Sequence, residues 1–177
     1  IPLALFLLGL TFLLVGFARP EVHEVDTTPG PGATIVLTVD VSGSMAADDV
    51  RPTRLRAVRR TALRFLRALP PTYQVALVAF GERVRLVVPP TLDHLKVIAR
   101  LPAATAPRAG TSLGDAISDS VAIVIRGLEA DEPIDRLHPP GTVVLLSDGR
   151  QTGAGTTPED ATASAYVYGI PVAALAV

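Results

Sequence analysis

Four short apolar stretches, rich in β-branched residues, recur along residues 34–177. "TIVLTVD" (34–40), "QVALVAF" (74–80), "TVVLLS" (142–147) and "IPVAALAV" (170–177) carry hydrophobic residues at consecutive positions. Strands buried on both faces read this way, whereas half-solvated strands alternate. Between them lie segments with helical periodicity. In "PTRLRAVRRTALRFLRALPP" (52–71), Leu55, Val58, Ala62, Phe65, Leu66 and Leu69 fall on one face. Pro52 suits a first-turn position, and Pro70-Pro71 ends the helix. "TLDHLKVIARL" predicts a short helix with His94 on its surface, and a longer apolar helix follows Ser112. Thr157-Pro158 with acids in the first turn predicts one more helix. "RVRLVV" (83–88) reads as a strand joined to 74–80 by Gly81-Glu82, a pair that suits a two-residue type II′ hairpin. Strands alternating with helices imply right-handed crossovers. The expected fold is therefore α/β: a doubly wound, mainly parallel sheet with one antiparallel edge strand.

Two further segments precede this domain. Residues 1–18, "IPLALFLLGLTFLLVGFA", hold no charge, and as a helix they would span about 27 Å, close to a hydrocarbon core of about 30 Å. They are expected to form a transmembrane helix. A signal peptide and a buried core helix are the rivals. Against the signal peptide, no basic n-region is present and "FARPEVHEV" is a poor cleavage site. Residues 19–33, polar and rich in Pro and Gly, read as a linker to a domain over 34–177. His23 in the linker is expected to be solvated. The predicted localisation is the cell membrane, and the charges beside the helix assign no side to the domain.

Charge and composition narrow the chemistry. The formal net charge is −1, so no global field points to nucleic acid. The chain has no cysteine, which excludes disulfides, zinc–thiolate centres and cysteine nucleophiles. The outer face of the 52–71 helix is basic, with Arg51, Arg56, Arg59, Arg60, Arg64 and Arg67. It reads as a solvated surface, or else as a face for an anionic partner or lipid headgroups.

In doubly wound sheets, ligands sit at the carboxyl ends of the strands near the switch point. Asp40 ends the first strand, and Asp148 follows "TVVLLS". If those strands are neighbours, both carboxylates meet at one rim. Ser42 and Ser44 lie on the loop after Asp40, and Thr111 lies on a third loop. Two carboxylates and three hydroxyls, with no nitrogen or sulfur, suit Mg²⁺, Mn²⁺ or Ca²⁺. Each piece also has a plain structural reading. Asp148-Gly149 can be just a turn, and Ser42, Ser44, Thr111 or Ser112 can be a helix cap.

The ordered set "DVSGSM", "GTSLGDAI" and "LLSDG" resembles the metal-ion-dependent adhesion site of von Willebrand factor A domains. The pattern Asp-x-Ser-x-Ser, a distant Thr and a distant Asp falls on Asp40, Ser42, Ser44, Thr111 and Asp148. The resemblance implies that the serines ligate a divalent ion directly, that the Thr and the acids do so directly or through water, and that a partner's acidic residue completes the shell. It also implies that the first and fourth strands are adjacent. Asp48 and Asp49 lie in the motif loop and are not expected in the metal shell.

The wider run through "DDVRPTRLRAVRRTALRFL" and "VALVAFGERVRLVVPPTLD" resembles bacterial membrane-anchored A-domain proteins of the Bat, or aerotolerance, group. That resemblance implies a non-enzymatic role in complex assembly or stress tolerance. The implied partners are a MoxR-type AAA+ ATPase and other membrane A-domain proteins. It also implies that a further helix and strand follow residue 177.

Two other readings differ in class. A magnesium-dependent phosphohydrolase with Asp40 as nucleophile needs a second acid two residues on, where this chain has Ser42. There is no Walker-type glycine loop and no nucleophile elbow. A scaffold would leave the same oxygens to caps and water.

Overall fold

A computed structural model describes residues 32–105, 110–127, 141–153 and 155–176. The expected membrane helix (1–18) and most of the linker, His23 included, lie outside the described residues. Among those described, no helix is long and apolar enough to cross a membrane.

The elements follow the hydrophobic pattern. They are β1 (Thr34–Asp40), a short 3-10 turn (Gly43–Ala46), α1 (Arg54–Ala68), β2 (Gln74–Phe80), β3 (Val84–Thr91), α2 (His94–Ala99), α3 (Leu113–Arg126), β4 (Gly141–Ser147), α4 (Pro158–Val167) and β5 (Val172–Ala176). The sheet order is β3-β2-β1-β4-β5. β1 pairs in parallel with both β2 and β4, β4 with β5, and among the described strands only β2–β3 is antiparallel. The chain steps to one side of β1 for β2 and to the other for β4, which puts the switch point at the carboxyl ends of β1 and β4.

Two apolar layers flank the sheet because alternate strand residues point to opposite faces. Ile35, Leu37 and Val39 of β1 pack with Leu55, Val58, Ala62 and Leu66 of α1 and Val97 of α2. Val36, with Val78, Phe80, Val143 and Leu145, packs with Ile117, Val121 and Val124 of α3 and Ala161 and Ala165 of α4. Every residue of β1 and β4 is buried, as strands covered on both faces require.

Four local expectations change. Pro52 lies before α1 rather than in its first turn, because Thr53 is the cap and its hydroxyl accepts from the Arg56 N–H. The β2–β3 connection spans residues 81–83, and Gly81 is not among the positive-φ glycines, so it is not a type II′ hairpin. The loop carbonyls instead face α3: Gly81 O accepts from Ser112 N–H at 2.9 Å and Glu82 O from Ser112 Oγ at 3.2 Å. β3 runs on through Pro89 and Pro90 to Thr91, with register shifts against β2. Proline is tolerated there because β3 is an edge strand. His94 is half-buried, its Nε2 2.9 Å from Tyr73 O.

The arginines on the outer face of α1 are exposed as expected, and α1 contains no acidic residue.

Candidate metal centre

The candidate residues come from three loops at one rim. β1 delivers Asp40 at its last position, wholly buried. Its Oδ1 accepts from the Ser42 N–H at 2.8 Å, which bends the chain sharply after the strand. Its Oδ2 accepts from Ser147 Oγ at 2.7 Å, joining the ends of β1 and β4. No described basic side chain pairs with Asp40.

Beyond that bend the chain enters the 3-10 turn. Ser42 is its cap residue but makes no side-chain cap bond. Its Oγ instead lies 3.1 Å from Ser44 Oγ. Ser112, the cap of α3, also makes no side-chain cap bond. The capping explanation for these hydroxyls therefore does not apply.

Thr111 is 3% exposed and is held by the loop that follows Asp148. Its N–H donates to Thr152 Oγ1 at 2.9 Å, and its carbonyl accepts from the Thr152 and Gly153 N–H groups, each at 3.0 Å. Asp148 lies one residue past Ser147, with its side chain 3% exposed. Gly149 follows at φ +77°, a conformation that only glycine adopts without strain, and its N–H donates to Ser147 Oγ at 3.1 Å. Direct contacts thus join Asp40, Ser42 and Ser44. Ser147 brings in the β4 end with Asp148, and Thr111 is tied to the same loop.

Two participants were missed in the sequence. Ser147 was read only as part of a strand, although it holds Asp40. Arg54, the first residue of α1, donates from Nη1 to Asp148 Oδ2 at 2.7 Å. Its Nε donates to Asp49 Oδ1 at 2.9 Å, and Nη2 donates to Asp49 Oδ2. These side-chain hydrogen bonds hold the Asp49 carboxyl below its ordinary value and raise the guanidinium. The only sequence signal was an arginine two residues after Pro52, in a helix full of arginines.

The geometry can be tested against a hard cation. Among the described residues no group of three or more His, Cys, Asp or Glu side chains gathers, so a carboxylate-rich cage is not on offer. A site of two carboxylates helped by hydroxyls is. In an octahedron with bonds of about 2.1 Å, adjacent ligand oxygens sit about 3.0 Å apart. The Ser42 and Ser44 oxygens, at 3.1 Å, match one such edge. A wholly buried carboxylate carries a desolvation cost, met here by two hydrogen bonds and by no described basic side chain. The donor set and the local charge both fit a small divalent ion.

A sequence profile described as the von Willebrand factor type A domain matches residues 35–151. This chain belongs to the von Willebrand factor type A family. A UPF0353 protein of Mycolicibacterium paratuberculosis is 35% identical over 152 residues, covering 84% of this chain and 43% of the relative. The chain thus spans less than half the length of that relative. Solved structures agree with the fold. BatB from Bacteroides thetaiotaomicron superimposes with a TM-score of 0.65 at 26% identity, covering 82% of this chain and 66% of that one. An aerotolerance-related membrane protein from Bacteroides fragilis gives 0.67 at 25% identity, covering 82% and 68%. The von Willebrand type A family, expected from the motif, and the Bat-type likeness, expected from the wider run of sequence, are thereby established.

Proposed function

We propose that this chain is a membrane-tethered module that binds a partner protein through a divalent cation. Asp40, Ser42, Ser44, Thr111 and Asp148 are the residues proposed to hold Mg²⁺, with Mn²⁺ or Ca²⁺ as substitutes. The observation that carries the reading is the buried Asp40 carboxylate, uncompensated by any described basic side chain and set beside the Ser42–Ser44 hydroxyl pair.

Each residue has a separate task. Ser42 and Ser44 offer neutral oxygens, so the site gathers little negative charge. Asp40, with both oxygens already engaged, acts through its charge and through water rather than as a bare ligand. Thr111 and Asp148 close the rim from the side of β4. Bound ion supplies an electrophilic position that a partner carboxylate can fill. This is recognition chemistry. Phosphoryl transfer through Asp40 lacks the second acid, because Ser42 stands in its place. The membrane tether is assigned to residues 1–18 on their apolar length. Candidate partners are a MoxR-type AAA+ ATPase and other membrane A-domain proteins, acting in complex assembly or stress tolerance.

The test uses the full-length protein in detergent, with the MoxR-type ATPase of the same organism as bait. Binding is expected in millimolar Mg²⁺, with loss on chelation and at least a tenfold loss in Asp40→Ala with Mg²⁺ still present. The variant separates the site's own ion from the metal requirement of the ATPase. Binding indifferent to Asp40→Ala contradicts the reading.

A further inference from the structure

We propose that Arg54 is a built-in counter-cation that weakens the rim's own hold on a divalent ion, so that firm metal binding depends on the partner. The inference rests on the metal-site reading above and concerns its regulation.

The geometry is specific. Arg54 is held at the rim by its backbone as well as its side chain. Its N–H donates to Ala47 O at 3.0 Å, and Thr53 caps the helix that it begins. The guanidinium therefore has a fixed origin from which to reach two carboxylates. Nη1 takes Asp148 Oδ2 at 2.7 Å, while Nε and Nη2 take Asp49. The two ion pairs differ in surroundings. The Asp148 side chain is 3% exposed, and the Asp49 side chain is 55% exposed. Water screens the charge of Asp49 far more than that of Asp148. At the rim, the guanidinium thus cancels much of the Asp148 charge, and Asp49 returns only part of it.

An incoming divalent ion meets this arrangement as a competitor. One oxygen of Asp148 is already occupied by a cation. Among the described residues, the other has only a 3.4 Å contact, from the Arg150 N–H. The rim then attracts an ion with the full charge of Asp40 and a reduced share from Asp148. An ion held by so little negative charge keeps a strong demand for another anionic ligand. A partner carboxylate meets that demand, and the ion and the partner tighten each other by linkage.

The opposite role is also definite. Arg54 could simply hold Asp148 in the pose that ligation needs, and loss of a group that orients a ligand typically costs about 10–100-fold in metal affinity. The two roles predict opposite signs. The experiment is Mn²⁺ binding to the full-length protein without partner, read as free Mn²⁺ by electron paramagnetic resonance. The proteins are wild type, Arg54→Gln, Arg54→Lys and Asp49→Asn. The counter-cation role predicts that Arg54→Gln binds Mn²⁺ about tenfold more tightly or better. It predicts that Arg54→Lys, which keeps the charge, stays near wild type. Asp49→Asn, which removes the screening charge, binds more weakly. Equal or weaker binding by Arg54→Gln overturns the inference while leaving the metal site intact. Should Arg54→Gln fail to fold, Arg54→Met, which keeps the apolar stem and removes the charge, takes its place, and equal or weaker binding there overturns the inference. Absence of Mn²⁺ binding in every protein removes the metal-site reading and this inference with it.

Discussion

Asp40→Asn is expected to abolish stabilisation by Mg²⁺ without destabilising the metal-free domain. In wild type, Mg²⁺ bound only to the folded state at a hundredfold excess over its dissociation constant adds about 2.7 kcal/mol. For a domain of this size that raises the unfolding temperature by roughly 5–10 °C. The asparagine variant should show no such rise. In chelator the order changes. Asp40 is wholly buried and no described basic side chain pairs with it, so its charge is a cost in the absence of an ion. Asparagine keeps an oxygen for the Ser42 N–H, and the Ser147 hydroxyl can turn to accept from the amide. The variant is therefore expected to match or exceed wild type in chelator and to fall below it in Mg²⁺. Thermal unfolding of both proteins in both buffers checks the crossing.

Gly114→Ala should destabilise the domain by about 3 kcal/mol or more, at the upper end of overpacking costs. Gly114 lies in the first turn of α3, directly against the start of α4. A Cβ there would meet Thr156 O at 1.9 Å and the Thr156 and Thr157 carbonyl carbons at 2.6 and 2.7 Å. These are backbone atoms and have no rotamer by which to yield. The Gly114 N–H also donates to Gln151 Oε1, so a shifted α3 strains the loop after Asp148 as well. Thr111 precedes this turn and moves with it. Urea unfolding is expected to show the loss of stability, with Mg²⁺ stabilisation weakened in parallel. Gly43→Ala is the control, since nothing lies within 4 Å of its added Cβ and its φ is unexceptional.

The strands, the helices and the switch point were legible because each rests on a local pattern. Continuous apolar runs marked β1, β2 and β4, and Thr157-Pro158 marked the start of α4. Adjacency of β1 and β4, needed for one rim, was implied by the family resemblance and is observed. What escaped the sequence depends on partners far away in the chain. Arg54 and Asp148 are 94 residues apart, and Ser147 and Asp40 are 107 apart. No periodicity marks one arginine of α1 as the one that turns to the rim while the others face solvent. The 81–83 loop was misjudged for the same reason, because its carbonyls are claimed by Ser112. Asp49 is not among the candidate metal ligands, yet its bond to Arg54 gives it an electrostatic part that the motif alone does not contain.

The most direct test of the account is an anomalous difference map from crystals of the protein grown with Mn²⁺. A divalent ion held as proposed gives a peak at the β1–β4 rim within about 2.2 Å of both Ser42 Oγ and Ser44 Oγ, close to the bond length of a small hard cation. A map with no peak there at saturating Mn²⁺, or with a peak only at other residues, would contradict the proposal.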